Sequence, residues 1–411
     1  MTTRTHTGLF THCCVSSVIF AVSVFALFVA TAVQAAEWRI EPLFGAAGEF
    51  DDNGVLSPRT DVDADISGYL LEASARFAYA SETTDFFITP RLLRRDYGDP
   101  NFDSDDQFLR FDFDHDTVSS NFRLRGDYGR ESARTGERAD VDLEVEDPDE
   151  IPDDESGRVS IRDRREKFRI MPSWTYRMSS LSSFSVNLDY TDVRYDEAFA
   201  GLLTDYTNAR VNVAYSRSFS PRNTGILSGT YRQYEADGSA KVTGSGFNAG
   251  FERTLSETTR LRALVGLEDT DREAGGSDVN WVANISLARR LQTIIMLAQY
   301  RRTISGGGSG TLSSRDSINL NFTRRLTERI SAGLGVRAYQ TNALDDAVVT
   351  FDERDYVQLR SQFTWYMTQS WSLQANYRYT FQNRSLLGES ANSNAVTVWL
   401  NYRPTPIIRS R

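Results

Sequence analysis

Cysteine, histidine and lysine are nearly missing from this sequence, and each shortage removes a class of chemistry. Its 411 residues include 2 cysteines and 3 histidines. Cys13, Cys14, His6 and His12 all fall within the first 35 residues. There Arg4 precedes the apolar run "VSSVIFAVSVFALFVATAV", and Val33 and Ala35 supply a small-residue exit. That order is expected of a secretory signal peptide over 1–35, cleaved near Ala35. The mature chain, 36–411, then has no cysteine and keeps only His115 of its histidines. Disulfides, thiolate metal sites, Ser–His nucleophile pairs and His-rich metal centres lose their building blocks. His115 itself, in "DFDHDT", reads as a solvated turn residue. No enzyme is expected, and no catalytic residue, metal ligand set or cofactor is predicted.

Other shortages bear on partners. No apolar run after the signal is long enough for a membrane-spanning helix. Lysine is confined to Lys167 and Lys241, so arginine carries nearly all the positive charge. Its planar fork suits carboxylates and cross-strand ladders. With Arg4 gone, 45 basic against 56 acidic residues leave a net charge of −11. Nucleic acid is not an expected partner.

What the chain has in quantity is alternation. In "FTWYMTQSWSLQANYRYTF" (Phe363–Phe381) both halves alternate apolar and polar with period 2, around the turn "MTQS". That is an antiparallel hairpin with one apolar and one wet face. About 18 such runs follow one another from Trp38 onward, without a helix between them. Short turns such as "SETTD" and "DHDT" alternate with longer polar loops such as "DTDREAGGSD" and "SGGGSGTLSSRD". The longest loop covers 131–165. Sorting of turns by length marks an outer-membrane barrel with short periplasmic turns and long outer loops. The expected fold is all-β: a single closed antiparallel transmembrane β-barrel of about 18 strands over 36–411, both termini periplasmic, in the bacterial outer membrane. Its apolar face meets lipid and lipopolysaccharide, with Trp and Tyr as interfacial girdles, and its polar face meets a wet lumen. Pro42, Pro90 and Pro172 are expected at bulges or strand ends.

The register assigns lumen residues. Arg76, Arg91, Arg95, Arg110, Arg123, Arg125, Arg169, Arg177, Arg210, Arg232, Arg262, Arg301, Arg337, Arg360 and Arg378 all fall opposite the apolar face. Glu72, Asp112, Asp127, Asp189, Glu252 and Glu268 are the clear carboxylates beside them. Two readings stay open: a ladder of ion pairs that shapes a wide barrel, or a cation-lined conduit that favours anions. Tyr339, Tyr356 and Trp399 are inward aromatics that fill the lumen or stack sugars. "SGGGSG" lacks the Gly-Lys-Ser/Thr ending of a phosphate loop and reads as a flexible outer loop. In the longest loop, Asp140, Asp142, Glu144, Glu146, Asp147, Asp149, Glu150, Asp153, Asp154 and Glu155 crowd together without the spacing of a calcium loop. Acidic "DVDLEVED" and basic "RVSIRDRRE" predict a hairpin that projects outward with Pro148–Pro152 at its tip; a constriction folded into the lumen is the rival.

Two segments carry a resemblance. "EPLFGAAGEFDDNGVLSP" (Glu41–Pro58) sets an aromatic and Asp-Asp-Asn after the first strand, and "SNAVTVWLNYRPTP" closes the chain. On these the sequence resembles the beta-barrel porin type 2 family, which includes barrels encoded with exopolysaccharide export systems. Members more often carry Tyr where Phe50 stands. The resemblance implies a conduit for secretion of an exopolysaccharide, working with a periplasmic polysaccharide-export protein, and the arginine excess on the lumen face makes an anionic polysaccharide the expected solute. A general or anion-preferring diffusion porin and a structural or adhesive surface barrel are the alternatives.

Overall fold

Strands account for about three quarters of the residues that the computed structural model describes, which are 36–58, 65–138, 141, 143, 151, 155–156, 163–196, 203–273, 275–344, 353–384 and 389–410. The expected signal peptide, 1–35, lies outside the described residues. The first six strands are β1 (Glu37–Asp51), β2 (Ile66–Ala80), β3 (Thr84–Asp96), β4 (Ser104–Asp116), β5 (Ser120–Ser132) and β6 (Arg164–Arg177). Next come β7 (Ser182–Tyr195), β8 (Tyr206–Ser220), β9 (Asn223–Ala236), β10 (Val242–Ser256), β11 (Thr259–Arg272) and β12 (Ser277–Arg290). The series continues through β13 (Ile294–Gly306), β14 (Leu312–Arg325), β15 (Ile330–Ala343), β16 (Arg354–Tyr366), β17 (Trp371–Arg384) and β18 (Glu389–Tyr402). One helical turn, α1 (Ala133–Gly136), follows β5, and a short β19 (Ile407–Ser410) follows β18.

From β1 to β18 each strand pairs antiparallel with its sequence neighbours, β1 pairs with β18 from Phe44↔Tyr402 to Asp51↔Ala395, and β19 pairs with β1. The sheet therefore closes as the alternation predicts, into an 18-stranded barrel. Eight connections at one rim hold only two to four residues, while the other rim carries the long ones. Strands run further toward that rim than the polar composition suggested. β11 continues to Arg272 and β12 begins at Ser277, inside the segment read as the loop "DTDREAGGSD".

Alternate residues on every strand face out. Phe44, Leu92, Phe247, Val265 and Leu267 are each at least half exposed, an apolar belt too large for a water-facing surface. At the short-turn rim Trp38 lies 4.9 Å from Tyr79, and Trp371 lies 4.7 Å from Tyr402, ring centre to ring centre. Tyr69, Tyr231 and Trp281 are exposed further up. Such rings suit the level where hydrocarbon gives way to headgroups.

Two of the three strand prolines behave differently from the expectation, and Pro42 agrees with it, beside a one-residue slip in register. Pro90 and Pro172 sit inside β3 and β6, and the ladder to one neighbour skips two positions beside each. The register is the same on both sides of each gap, so neither is a bulge or a strand end. A missing N–H costs local bonds, and the flanking ladder holds the alignment. Pro42 belongs to the seam. Ile40 pairs with Ile407 and Phe44 with Tyr402, so residues 41–43 of β1 face the longer 403–406. Pro404 and Pro406 lie in that extra length, and β19 resumes the ladder beyond them.

Candidate functional site: the lumen wall and its inserted segment

The fifteen arginines named above lie on the register opposite the exposed apolar belt, and most meet a carboxylate there. Arg91 pairs with Glu72 at 3.1 Å, Arg123 with Asp114 at 2.9 Å and Arg125 with Asp112 at 3.1 Å. Arg169 grips Asp189 at 2.6 Å, and Arg177 reaches Asp116 at 2.9 Å. Arg95 pairs with Asp106, and Arg232 with Glu268 at 3.6 Å. Arg76 instead covers the Phe87 ring at 4.2 Å. Arg110 is exposed opposite Asp127, and Arg210 faces Asp189, with no ion pair to a described residue for either. Sequence reading counted too few inward carboxylates. Asp51, Asp106, Asp114 and Asp116 sit near strand ends, where polar composition resembles that of a loop.

The remaining arginines hold something else. Beyond β5 the ladder stops at Ser132↔Arg164, and the long connection turns inward. The Val141 amide donates to Gln358 Oε1 at 2.7 Å, and its carbonyl accepts from Arg360 Nη1 at 2.8 Å. Arg301 donates to the Ile151 carbonyl at 3.1 Å. Arg315 donates to the Glu155 carbonyl and Arg354 to that of Ser156. The Glu155 carboxylate pairs with Arg337 at 3.1 Å. Thus β13, β14, β15 and β16 grip the segment largely by its main chain. Small residues on the inward register of β15 make room: Val141 and Leu143 lie where side chains at Gly335 and Gly333 would stand.

The outward hairpin is therefore replaced by its rival, a segment folded into the lumen. Val141 and Leu143, the described residues of "DVDLEVED", belong to no strand. Pro148 and Pro152 lie outside the described residues, as does the acidic cluster apart from Glu155. Charge pairing across an exposed hairpin is worth little, whereas the lumen offers buried arginine donors to main-chain carbonyls.

Two buried knots fix the segment's base. Glu137 accepts from the Tyr195 hydroxyl at 2.6 Å and from the Ser156 amide at 2.8 Å, and pairs with Arg165 at 3.2 Å. Asp51 pairs with Arg138 and Arg378, each at 3.2 Å, and accepts from Ser393 Oγ at 2.6 Å. Desolvation, with the Arg378 charge nearby, pulls the Arg138 guanidinium below its ordinary value, and Asp51 opposes that pull.

Other loops also turn in. "SGGGSG" is not a free outer loop: Tyr234 donates to the Gly307 carbonyl at 2.9 Å, and Thr204 N–H to that of Gly308 at 2.9 Å. A Cβ at Gly306 would strike the Tyr234 ring, and one at Gly308 the Tyr195 hydroxyl, so these glycines permit close approach. Tyr339 and Tyr356 are nearly buried and stack on each other at 4.8 Å. Trp399 is half-buried and packs with Ala47, Leu70, Leu93 and Phe108. His115 hydrogen-bonds Thr84 Oγ1 through Nδ1 at 2.9 Å, strand to strand.

A sheet closed on itself, apolar outside and arginine-rich within, is a structure that only a lipid bilayer solvates well. The chain is an outer-membrane β-barrel. No protein-family model and no curated protein matches its sequence. Among solved structures the barrel is similar to OpdQ of Pseudomonas aeruginosa, with TM-score 0.46 and 9% identity over 90% of this chain and 98% of that one. It is also similar to a BenF-like porin from Pseudomonas fluorescens Pf-5, with TM-score 0.47, 10% identity and coverage of 90% and 98%. OccAB4 of Acinetobacter baumannii gives TM-score 0.46, 10% identity and coverage of 92% and 99%.

The sequence reading missed Val141, Leu143, Glu155, Gln358, Arg315 and Arg354 as parts of one assembly. One signal was available: Gly333 and Gly335 leave a bare strip on the inward face of β15, which needs something to fill it.

Proposed function

We propose that this barrel is a diffusion channel for small solutes, with a preference for anions. The observation that carries this reading is the inserted segment, anchored from Val141 to Ser156 on side chains of the lumen wall. A barrel of this strand number leaves an aqueous bore, and a segment held against its wall narrows that bore. Arginine side chains near the narrow part act at close range, while loop carboxylates outside are screened within a Debye length of about 8 Å. Lipid and lipopolysaccharide are its proposed surroundings.

The exopolysaccharide conduit, with its anionic polysaccharide and periplasmic export partner, has less support. A polymer needs a continuous wide bore, and the stacked, buried Tyr339 and Tyr356 leave no ring face for sugars. A purely structural or adhesive barrel gives no reason for lumen arginines to hold the main chain at Val141, Ile151, Glu155 and Ser156. Liposomes containing the purified barrel should swell with sugars of mono- and disaccharide size and exclude long oligomers. Loss of extracellular polysaccharide on gene deletion, with small-solute uptake unchanged, would restore the conduit.

A further inference from the structure

Between Val141 and Ser156, Glu155 is the single acidic side chain with a described place, and its surroundings are more elaborate than a tether needs. Arg337 meets it with two nitrogens, Nη2 to Oε2 at 3.1 Å and Nη1 to Oε1 at 3.5 Å. Arg315 Nη1 lies 3.8 Å from the same Oε2. Both guanidinium groups are almost wholly buried, at 3% and 4% side-chain exposure. Arg315 is further fixed over the Tyr339 ring at 4.4 Å, and Tyr339 rests on Tyr356 with the ring planes 15° apart. Both arginines and both rings come from three adjacent strands, β14, β15 and β16, so they are held rigidly. The carboxylate alone arrives on a connection between strands.

We propose that Arg315 and Arg337 form a binding site for a small carboxylate-bearing solute, which the chain's own Glu155 occupies. The inference rests on the diffusion reading and adds to it a ligand class and a competing internal occupant. A two-nitrogen fork supported by a stacked aromatic floor recognises a carboxylate by shape as well as charge. A tethered occupant competes at an effective concentration on the order of millimolar. Solute carboxylate displaces it only when present at similar levels, and removing the internal carboxylate opens the site to weaker supply.

The test compares wild type, Glu155→Gln and the double variant Glu155→Gln/Arg337→Gln, all purified as whole barrels and checked for folding by heat-modifiable migration on gels. In planar bilayers, sodium glucuronate should reduce the current through Glu155→Gln at a roughly tenfold lower concentration than through wild type. Neutral glucose should not discriminate between them, and the double variant should lose the sensitivity. Equal glucuronate sensitivity in wild type and Glu155→Gln, or sensitivity retained in the double variant, overturns the site. A folded barrel that passes no current overturns the diffusion reading alone. Calorimetric titration of Glu155→Gln with glucuronate then decides the site separately: heat of binding absent from the double variant supports it, and its absence from both overturns it.

Discussion

Val141 lies over Gly335, so close that a methyl group at the glycine would collide with its Cγ1. The contact joins the connection after β5 to the middle of β15 and seats the inserted segment on the wall.

Gly335→Leu should unseat it. Overpacking of this kind costs about 1–3 kcal/mol, enough to shift the docked population roughly fivefold to a hundredfold. Single-channel conductance should rise severalfold, while gel migration stays that of a closed barrel, since the outward face is untouched. Unchanged conductance would mean that the segment does not limit flow.

Asp51 is fully buried between Arg138 and Arg378. Asp51→Asn leaves buried positive charge without its partner and should cost about 3–5 kcal/mol, read from the urea unfolding midpoint of the barrel. Adding Arg138→Met removes one stranded charge, and part of the loss should return. A double variant as weak as Asp51→Asn would show that the pair is not the cause.

Selectivity should respond to Arg123, Arg210 and Arg360, each for its own reason. Arg123 neutralises Asp114, Arg210 meets no carboxylate among the described residues, and Arg360 holds the Val141 carbonyl. Replacing all three with Gln should move the reversal potential in a salt gradient toward cations, and the shift should shrink at high salt. An unchanged potential would leave these arginines with a structural role only.

At the seam, β19 pairs with the first residues of β1, Glu37 to Ile40, while β18 pairs with Phe44 to Asp51. Removing residues 407–411 should speed amide exchange at Glu37–Ile40 and leave exchange at Phe44–Asp51 as it was. Loss of protection along the whole of β1 would show that closure depends on the short strand.

The barrel was legible because its cause is local. Alternation along runs such as Ile330–Ala343 states which side meets lipid, and turn length states which rim is which. The arginine face followed from the same count. The inserted segment was not legible because its partners lie far along the chain. Arg360 is 219 residues from Val141, and Arg301 is 150 from Ile151. Charge alternation in "DVDLEVED" favoured a neighbour, "RVSIRDRRE", and the lumen arginines outcompeted it. Carboxylates such as Asp106 and Asp114 were undercounted because strands outrun the apolar pattern at their ends.

Those separations impose an order on assembly. Strand pairs form between neighbours, but the segment after β5 has no seat until β13 through β17 exist. Contacts across such long stretches of chain carry a loop-closure cost and form late. A newly inserted barrel therefore passes through a state with its wall complete and its bore unobstructed, and it narrows only as the last contacts are made. Conductance falling with time after insertion is the trace that this final step leaves.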